Sequence, residues 1–168
     1  MAMRKGDPAG GGVTPGESDS EFFSPSIRHD AARGRQIGCV RLRVRYAESD
    51  RMGIVYNAHY LTWFEIGRTE LMRSSGAPYR TVEEAGYALP LVDASLRLRA
   101  PVHYDDVIDI ETWVEELRSR TVVFAYRILH GSTRVAEGMT IHACVRAADS
   151  RAAAFPDWLR ASIERLTR

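Results

Sequence analysis

The amino-acid sequence predicts an α+β domain in which an antiparallel β-sheet covers one long helix. Three observations support this prediction: a strand pattern precedes a single long helical pattern, four further strand patterns follow it, and short links join those four. Apolar residues also lie around much of the circumference of the helix, which is typical of a helix wrapped by a curved sheet. The chain of 168 residues has room for one such domain.

The first strand and the helix are defined by a change in the spacing of apolar residues. Alternation with period two, typical of a half-buried strand, runs through Val40, Leu42, Val44 and Tyr46. Spacings of three and four then indicate a helix of about 18 residues, through Tyr60, Leu61, Phe64, Gly67, Leu71 and Met72. Gly76 and Pro78 supply its stop signal. On its flank, Glu65–Arg68 and Glu70–Arg73 are spaced to form ion pairs.

Four strand patterns and two shorter segments complete the predicted domain. The alternating positions of the strands run from Val92 to Leu98, Ile108 to Val114, Val122 to Ile128 and Val135 to Val145. A short polar turn or helix is predicted at Tyr79 to Ala85, and a C-terminal helix at Pro156 to Leu166. Because such a sheet leaves edge strands that need a partner, we expect a homodimer or a homotetramer.

The N-terminal part of the chain differs in composition from the rest. Residues 1–36 contain a Gly-Gly-Gly run, prolines and scattered charge, which is the composition of a disordered segment. We therefore predict a disordered extension over residues 1–36 and a folded domain over residues 37–168. The alternative is a segment that docks on a partner through its one bulky pair, Phe22 and Phe23.

Charge and hydropathy exclude several classes of protein. The net charge of +1, from 23 basic and 22 acidic residues, gives no reason to expect nucleic acid or an anionic membrane as a partner. Because there is neither an apolar run of about 18 residues nor an apolar N-terminal stretch, we expect a cytoplasmic protein without a transmembrane segment.

Cys39 and Cys144 are expected to be buried free thiols. His103, His130 and His142 show no metal-ligand spacing, so no metal is expected.

A carboxylate lies just ahead of the predicted helix N-terminus. Asp50 is followed by Gly53, which allows a close backbone approach, and by the free N–H groups of the first helical turn near Tyr56 to His59. Such donors stabilise an oxyanion, and a carboxylate can activate water or attack an acyl carbon. This arrangement fits hydrolysis of an activated ester or thioester. The alternative role of Asp50 is that of a plain N-cap.

An ordered set of residues extends from this segment into the later strands. It comprises Tyr46, Asp50, Gly53, Val55, Tyr56, Tyr60, Glu65 and Arg68-Thr69-Glu70, then Pro101, Tyr104-Asp105-Asp106, Ile110-Glu111-Thr112 and Arg118. In order and spacing the set resembles the signature of the 4-hydroxybenzoyl-CoA thioesterase family, particularly the bacterial acyl-CoA thioesterases associated with the Tol-Pal system. The resemblance implies the hotdog fold, an antiparallel sheet wrapped around one long helix. It also implies hydrolysis of acyl-CoA thioesters without a cofactor, since CoA is part of the substrate.

The resemblance assigns roles to individual positions. Asp50 takes the place of the family's catalytic aspartate, and the backbone N–H of Asn57 that of a donor to the thioester carbonyl, where many relatives have His or Tyr. Tyr46 matches a tyrosine that shapes the catalytic pocket. Arg118 and Arg120, in a predicted strand–strand turn, match a basic patch that contacts the CoA phosphates. The alternative for both arginines is a solvated turn.

Five further positions are placed around the substrate: Gly53, Val55, Tyr56, His59 and Glu65. His59 is a candidate for orienting the substrate, with a helix-flank histidine of no catalytic duty as the alternative. Glu65 is a second candidate carboxylate, because a different branch of hotdog thioesterases uses a helix glutamate. Its alternative is the ion pair with Arg68.

Two other functions remain open on the same fold. An enoyl-thioester hydratase or dehydratase needs a catalytic His paired with an acid, and Asp50 and His59 are not spaced as that branch spaces them. A non-catalytic acyl-binding or scaffold protein is the other. The sequence leaves open which acyl group is bound.

Overall fold

The computed structural model describes residues 23–168. It contains eight strands: β1 (Phe23–Asp30), β2 (Arg35–Arg43), β3 (Tyr87–Ala88), β4 (Leu91–Leu98), β5 (Val107–Leu117), β6 (Thr121–His130), β7 (Thr133–Ala143) and β8 (Val145–Arg146). The helices are α1 (Ala58–Ser74), α2 (Tyr79–Glu84) and α3 (Asp157–Glu164), with 3-10 turns at Tyr46–Glu48 and Arg165–Thr167. The patterns read from the sequence therefore predicted β2, β4 to β7 and all three helices.

One antiparallel sheet of six strands forms the body of the domain, in the order β1-β2-β5-β6-β7-β4. Helix α1 packs mainly against β2 and β5, while β3 and β8 form a separate two-stranded sheet. A long helix covered by one antiparallel sheet is the hotdog arrangement, so the predicted fold class is confirmed. No helix among residues 23–168 is long and apolar enough to cross a membrane.

The helix approaches the sheet closely because its buried side chains are matched to the strands. Trp63, Phe64 and Leu71 are almost fully buried, and the Phe64 ring stacks on that of Tyr126 of β6 with 4.1 Å between centroids. Gly67 lies where a Cβ atom would collide with the hydroxyl group of Thr112 on β5. A residue without a side chain is therefore needed at this position.

The structure corrects the predicted boundary of the N-terminal extension. Within residues 1–36, which were predicted to be disordered, Phe23–Asp30 forms strand β1 and pairs along its whole length with β2. The composition misled the prediction because β1 lies at the sheet edge, where its described side chains are largely exposed and need no apolar alternation. Residues 1–22, and with them the docking role of Phe22, lie outside the described residues.

The two cysteines are free thiols, as predicted. Cys144 is buried, whereas Cys39 is only half-buried, so the expected burial is wrong for Cys39. Burial raises the pKa of both thiols, which favours their protonated form.

Candidate active site

The candidate carboxylate lies in the irregular segment between β2 and α1. Both ends of this segment are tied to the chain just before β5: the Val44 N–H donates to the Asp106 carbonyl at 2.9 Å, and the Val55 N–H donates to the Val102 carbonyl at 2.8 Å. A bridge between Ser49 and Val55 closes the segment into a narrow loop. The loop therefore has a defined path, although it contains only one 3-10 turn.

Asp50 occupies the first position of a tight turn at the tip of this loop. The Gly53 N–H donates to the Asp50 carbonyl at 3.0 Å, and Gly53 has φ +75°, a conformation that favours glycine. The Met52 N–H donates to Asp50 Oδ1 at 2.7 Å, which forms an Asx turn. The half-buried Asp50 carboxylate is thus oriented by its own turn. Since the N-cap residue of α1 is Asn57, the alternative role of Asp50 as the N-cap is wrong.

The N-terminus of α1 offers free N–H groups at two of the four positions, Tyr56 to His59, where the sequence predicted them. The Tyr56 N–H is used by the Glu48 carbonyl at 2.9 Å, and the His59 N–H by the Tyr56 carbonyl at 3.0 Å. Within residues 23–168, the N–H groups of Asn57 and Ala58 have no hydrogen-bond acceptor. The Asn57 side chain also makes no capping bond. Two adjacent donors with partial positive charge are therefore available to an oxyanion.

Glu48 holds the loop and was not identified from the sequence. Glu48 is 2% exposed. Its carboxylate accepts hydrogen bonds from the Arg45 N–H at 2.7 Å, from Arg45 Nη2 at 3.0 Å and from Trp63 Nε1 at 3.0 Å. The only local signal was the spacing of Arg45 and Glu48. The contact with Trp63, fifteen residues further along, depends on the tertiary fold.

The segment that carries Asp50 also carries exposed aromatic side chains. Tyr46 is 79% exposed and contacts the Tyr104 ring edge-on, with 5.5 Å between centroids. Tyr56 is also exposed, and its ring lies 6.3 Å from that of His59. A groove of about 550 Å³ on the outer sheet face is lined without Asp50 or Asn57. Asp50 itself is half-buried in the single chain.

Comparison with known proteins assigns this fold and loop to a family. Residues 44–163 match the Thioesterase-like superfamily, which is more than half of the chain. The chain belongs to this superfamily. YneP of Bacillus subtilis is 36% identical over 122 residues, which cover 70% of this chain and 88% of YneP.

Two further relatives of the superfamily have functional names. The acyl-CoA thioesterase YbgC of Haemophilus influenzae is 29% identical over 126 residues, covering 74% of this chain and 93% of YbgC. The crystal structure of a DHNA-CoA thioesterase from Staphylococcus aureus superposes with a TM-score of 0.72 at 27% identity. It covers 76% of this chain and 89% of the bacterial enzyme.

The two ion pairs predicted on helix α1 have different outcomes in the structure. Glu65 is exposed, and its predicted ion pair with Arg68 is wrong. Arg68 instead donates through Nε to the Tyr79 hydroxyl at 2.8 Å and contacts His142 Nε2 through Nη1 at 3.0 Å. Helical spacing permits the pair with Glu65, but these two tertiary partners hold the guanidinium. The second predicted pair, Glu70–Arg73, is confirmed at 3.3 Å.

The cluster around Arg68 contains two perturbed groups. Burial, followed by the charge of Arg68, lowers the pKa of His142 to about 4, so His142 is neutral near pH 7. Burial raises the pKa of Tyr79 to about 12. His142 Nδ1 donates to the Leu89 carbonyl at 2.9 Å, which leaves Nε2 to accept from Arg68. Among the described residues, no group of three or more His, Cys, Asp or Glu side chains is arranged to hold a metal ion.

The two candidate CoA-binding arginines lie far from Asp50 within one chain. Arg118 and Arg120 are exposed in the turn between β5 and β6. Arg118 is held by Glu116 through two hydrogen bonds, at 2.7 and 2.8 Å. The loop of Asp50 is attached to the opposite end of β5, whose eleven residues span roughly 35 Å at ~3.3 Å per residue. One chain therefore does not bring these groups together.

Val55 differs from the other candidates around the substrate. Its side chain is buried in the core cluster, whereas Tyr56 and Gly53 are exposed. The contribution of Val55 to this region is therefore made through its backbone, which fixes the loop to Val102.

Proposed function

We propose that this chain hydrolyses acyl-CoA thioesters to the free acid and CoA. The observation that carries the proposal is that one loop–helix junction holds both an oriented carboxylate, Asp50, and the free N–H groups of Asn57 and Ala58. The name of YbgC, an acyl-CoA thioesterase, supports the same reaction.

The chemistry follows from the charges that develop during hydrolysis. Attack on the thioester carbonyl carbon converts its oxygen into an oxyanion, which the N–H groups of Asn57 and Ala58 stabilise. Asp50 either attacks this carbon itself or removes a proton from the attacking water. Collapse of the intermediate breaks the carbon–sulfur bond and releases CoA as the thiol, and water supplies the oxygen of the acid.

The hydratase alternative lacks its acid–base pair in this structure. A hydratase needs a catalytic histidine within reach of an acid, but the residues that the structure describes place no carboxylate against His59. His142 is buried behind Arg68 and is 1% exposed, so it does not meet substrate at the surface.

We further propose that two chains pair through β4. This strand is the last in the six-stranded sheet, and Leu91, Val92 and Leu98 on it are about half exposed. Antiparallel pairing of two β4 strands would extend the sheet across a two-fold axis. It would also bring the β5–β6 turn of one chain towards the Asp50 loop of the other. Arg118 and Arg120 then serve the site of the partner subunit, where they bind CoA phosphates.

The reaction is tested by comparing Asp50→Asn with Glu65→Gln. Release of free thiol would be measured on a panel of aliphatic and aromatic acyl-CoAs. Asparagine preserves the Asx turn, because its Oδ1 also accepts from the Met52 N–H. We expect Asp50→Asn to lower kcat at least ~10²-fold, at the low end for an acid–base group.

Glu65→Gln is the matched control on the exposed flank of α1. Its activity should stay within about tenfold of wild type, since Glu65 lies eight residues after Asn57, or about 12 Å further along the helix axis. Full activity in Asp50→Asn together with loss in Glu65→Gln would reverse the assignment. Binding of acyl-CoA without thiol release by wild type would favour the acyl-binding alternative.

A further inference from the structure

The position of the Asp50 carboxylate depends on a loop with little structure of its own. The tight turn from Asp50 to Gly53 orients the carboxylate relative to the loop, but it does not fix the loop relative to helix α1. The hydroxyl of Ser49, next to Asp50, is buried and has no hydrogen-bond partner among the described residues. The side chain of Ser49 therefore adds no restraint, and the side-chain contacts of the loop with helix α1 come from another residue.

Glu48 makes the contacts that connect the loop to the helix. Its two carboxylate oxygens accept from the backbone and guanidinium of Arg45, where the loop begins, and from the indole N–H of Trp63 on α1. Its carbonyl oxygen accepts from the N–H of Tyr56, where the loop ends. A single residue thus ties both ends of the loop and the helix, two positions away from Asp50.

The charge of Glu48 makes these contacts stronger than those of a neutral side chain. Burial alone would raise its pKa, but the hydrogen bonds from Arg45 and Trp63 outweigh burial and lower the pKa, so the carboxylate stays ionised. Hydrogen bonds to an ionised acceptor are shorter and stronger than neutral ones. A buried carboxylate also becomes costly when its donors are displaced, which resists movement of the loop.

We infer that Glu48 is a positioning residue that sets the place of the Asp50 carboxylate relative to the free N–H groups of Asn57 and Ala58. This inference rests on the proposed function of Asp50. Glu48 does not touch the substrate, and it acts only through the geometry of Asp50. Because a misplacement of about 1 Å can cost ~10²-fold in rate, loosening this contact should lower kcat rather than substrate affinity.

The test is a double-mutant cycle between Glu48→Gln and Asp50→Asn. In Glu48→Gln the side-chain oxygen still accepts from Trp63, but the new amide nitrogen faces the Arg45 N–H and cannot accept from it. We expect Glu48→Gln to lower kcat about 10- to 100-fold with KM within about threefold. In the Asp50→Asn background the same change should have almost no further effect, because the group that it positions is already lost.

Glu111→Gln is the matched control for removing a buried glutamate charge. Glu111 is also buried and held by two arginines, Arg28 and Arg127, at 2.6 Å each, but it lies on the outer face of β5. This variant should lose thermal stability and keep kcat within about twofold. If Glu48→Gln does not fold, Arg45→Met replaces it, since it removes one contact to Glu48 from a largely exposed side chain. We expect a decrease in kcat of about two- to fivefold from losing such a pair.

Three results would overturn the inference. The first is an unchanged kcat in folded Glu48→Gln, or in Arg45→Met where that variant replaces it. The second is an equal decrease in both Asp50 backgrounds, which would make Glu48 merely structural. The third is full activity of Asp50→Asn, which would overturn the proposed function and this inference with it. A decrease for Asp50→Asn without one for Glu48→Gln would overturn the inference alone.

Discussion

The six-stranded sheet has two edges, β1 and β4, and both are exposed in the single chain. Strand β1 carries Pro25 and ends in Arg28, His29 and Asp30, and proline and charge are the features that protect an edge strand from further pairing. Strand β4 has no proline, and exposed apolar residues flank its two charged residues, Asp93 and Arg97. The comparison teaches that exposure alone does not identify an interface, since the chemistry of the exposed residues differs between the two edges.

The largest expected effect comes from placing the same charge on each edge. Val92 on β4 is 58% exposed and Ile27 on β1 is 42% exposed. We expect Val92→Glu to convert the proposed dimer to a monomer, because each chain would bury a carboxylate in the interface. Activity should fall at least ~10²-fold with it, since the site would lose the partner subunit. Sedimentation and thiol release measure the two effects.

Ile27→Glu is the control for a charge added at a sheet edge. It should leave the oligomeric state unchanged and activity within about twofold, as expected of a surface substitution. A monomer from Ile27→Glu would indicate that β1 is the pairing edge. An active dimer from Val92→Glu would show that β4 is not.

Acid should destabilise the fold through His142, which lies opposite Leu91 of β4. His142 on β7 is neutral in the folded chain, with a pKa of about 4 against an ordinary value of 6.5, and it donates to the Leu89 carbonyl just before β4. Since the unfolded chain binds a proton that the folded chain excludes, stability is full above about pH 6.5 and declines as the pH falls towards 4. The loss is at most about 3 kcal/mol.

Protonation of His142 would place two positive groups against each other, because Arg68 Nη1 lies 3.0 Å from His142 Nε2. The neutral hydroxyl of Thr140, also 3.0 Å away, does not compensate this repulsion. Urea unfolding between pH 4.5 and 7 would measure the loss, with His142→Asn as the control that keeps a donor to Leu89. Equal pH dependence in both proteins would show that another group is responsible.

The sequence predicted the helices and the strands with long alternating patterns, and it missed β1 and the two-residue strands β3 and β8. Strands β2 and β5 were found because Val40 and Ile110 belong to alternating rows that face the helix. Strand β1 has only the short alternation of Phe23, Pro25 and Ile27, and Ile27 is exposed, so it is the backbone pairing with β2 that identifies β1 as a strand. Edge strands of this kind are weakly encoded by hydrophobic periodicity.

In the candidate site, too, the residues defined by local signals were predictable, and the contacts made by the tertiary fold were not. Asp50 and the helix N-terminus at Asn57 were predictable, because turn and helix signals are local. The contacts of Glu48 with Trp63 and of Arg68 with Tyr79 were not, because the fold brings these partners together. Polar contacts within the core depend on packing that no spacing rule encodes.

Removing β1 tests how much the other sheet edge contributes to stability. Truncation before Arg35 would expose the backbone of β2 and remove the contact of Arg28 with the buried Glu111. Glu111 would retain its hydrogen bond from Arg127. We expect a loss of about 2 kcal/mol, or roughly 4–8 °C in Tm, for a chain of this size. Truncation before Phe23 is the control, since it removes none of these contacts. Equal Tm values for the two truncations would show that β1 adds no stability.

The smallest effect concerns the arginines that β4 pairing would bring to the partner's site. Replacing Arg118 and Arg120 together by Ala should raise KM for acyl-CoA about five- to tenfold with little change in kcat, because phosphate contacts are shared by ground and transition states. N-acetylcysteamine thioesters, which lack the nucleotide, should be unaffected. An equal change with these short thioesters would remove the arginines from CoA binding.

Mixing subunits shows which chain supplies the arginines. A dimer of one Asp50→Asn chain and one chain with the double arginine change contains two different sites. If the arginines act across the interface, one site has Asp50 from one chain and both arginines from the other, so activity with wild-type KM returns on mixing. If each chain uses its own arginines, the only active site has lost them and KM stays high. Recovery on mixing should also disappear when Val92→Glu is added to both chains, because that change prevents β4 from pairing.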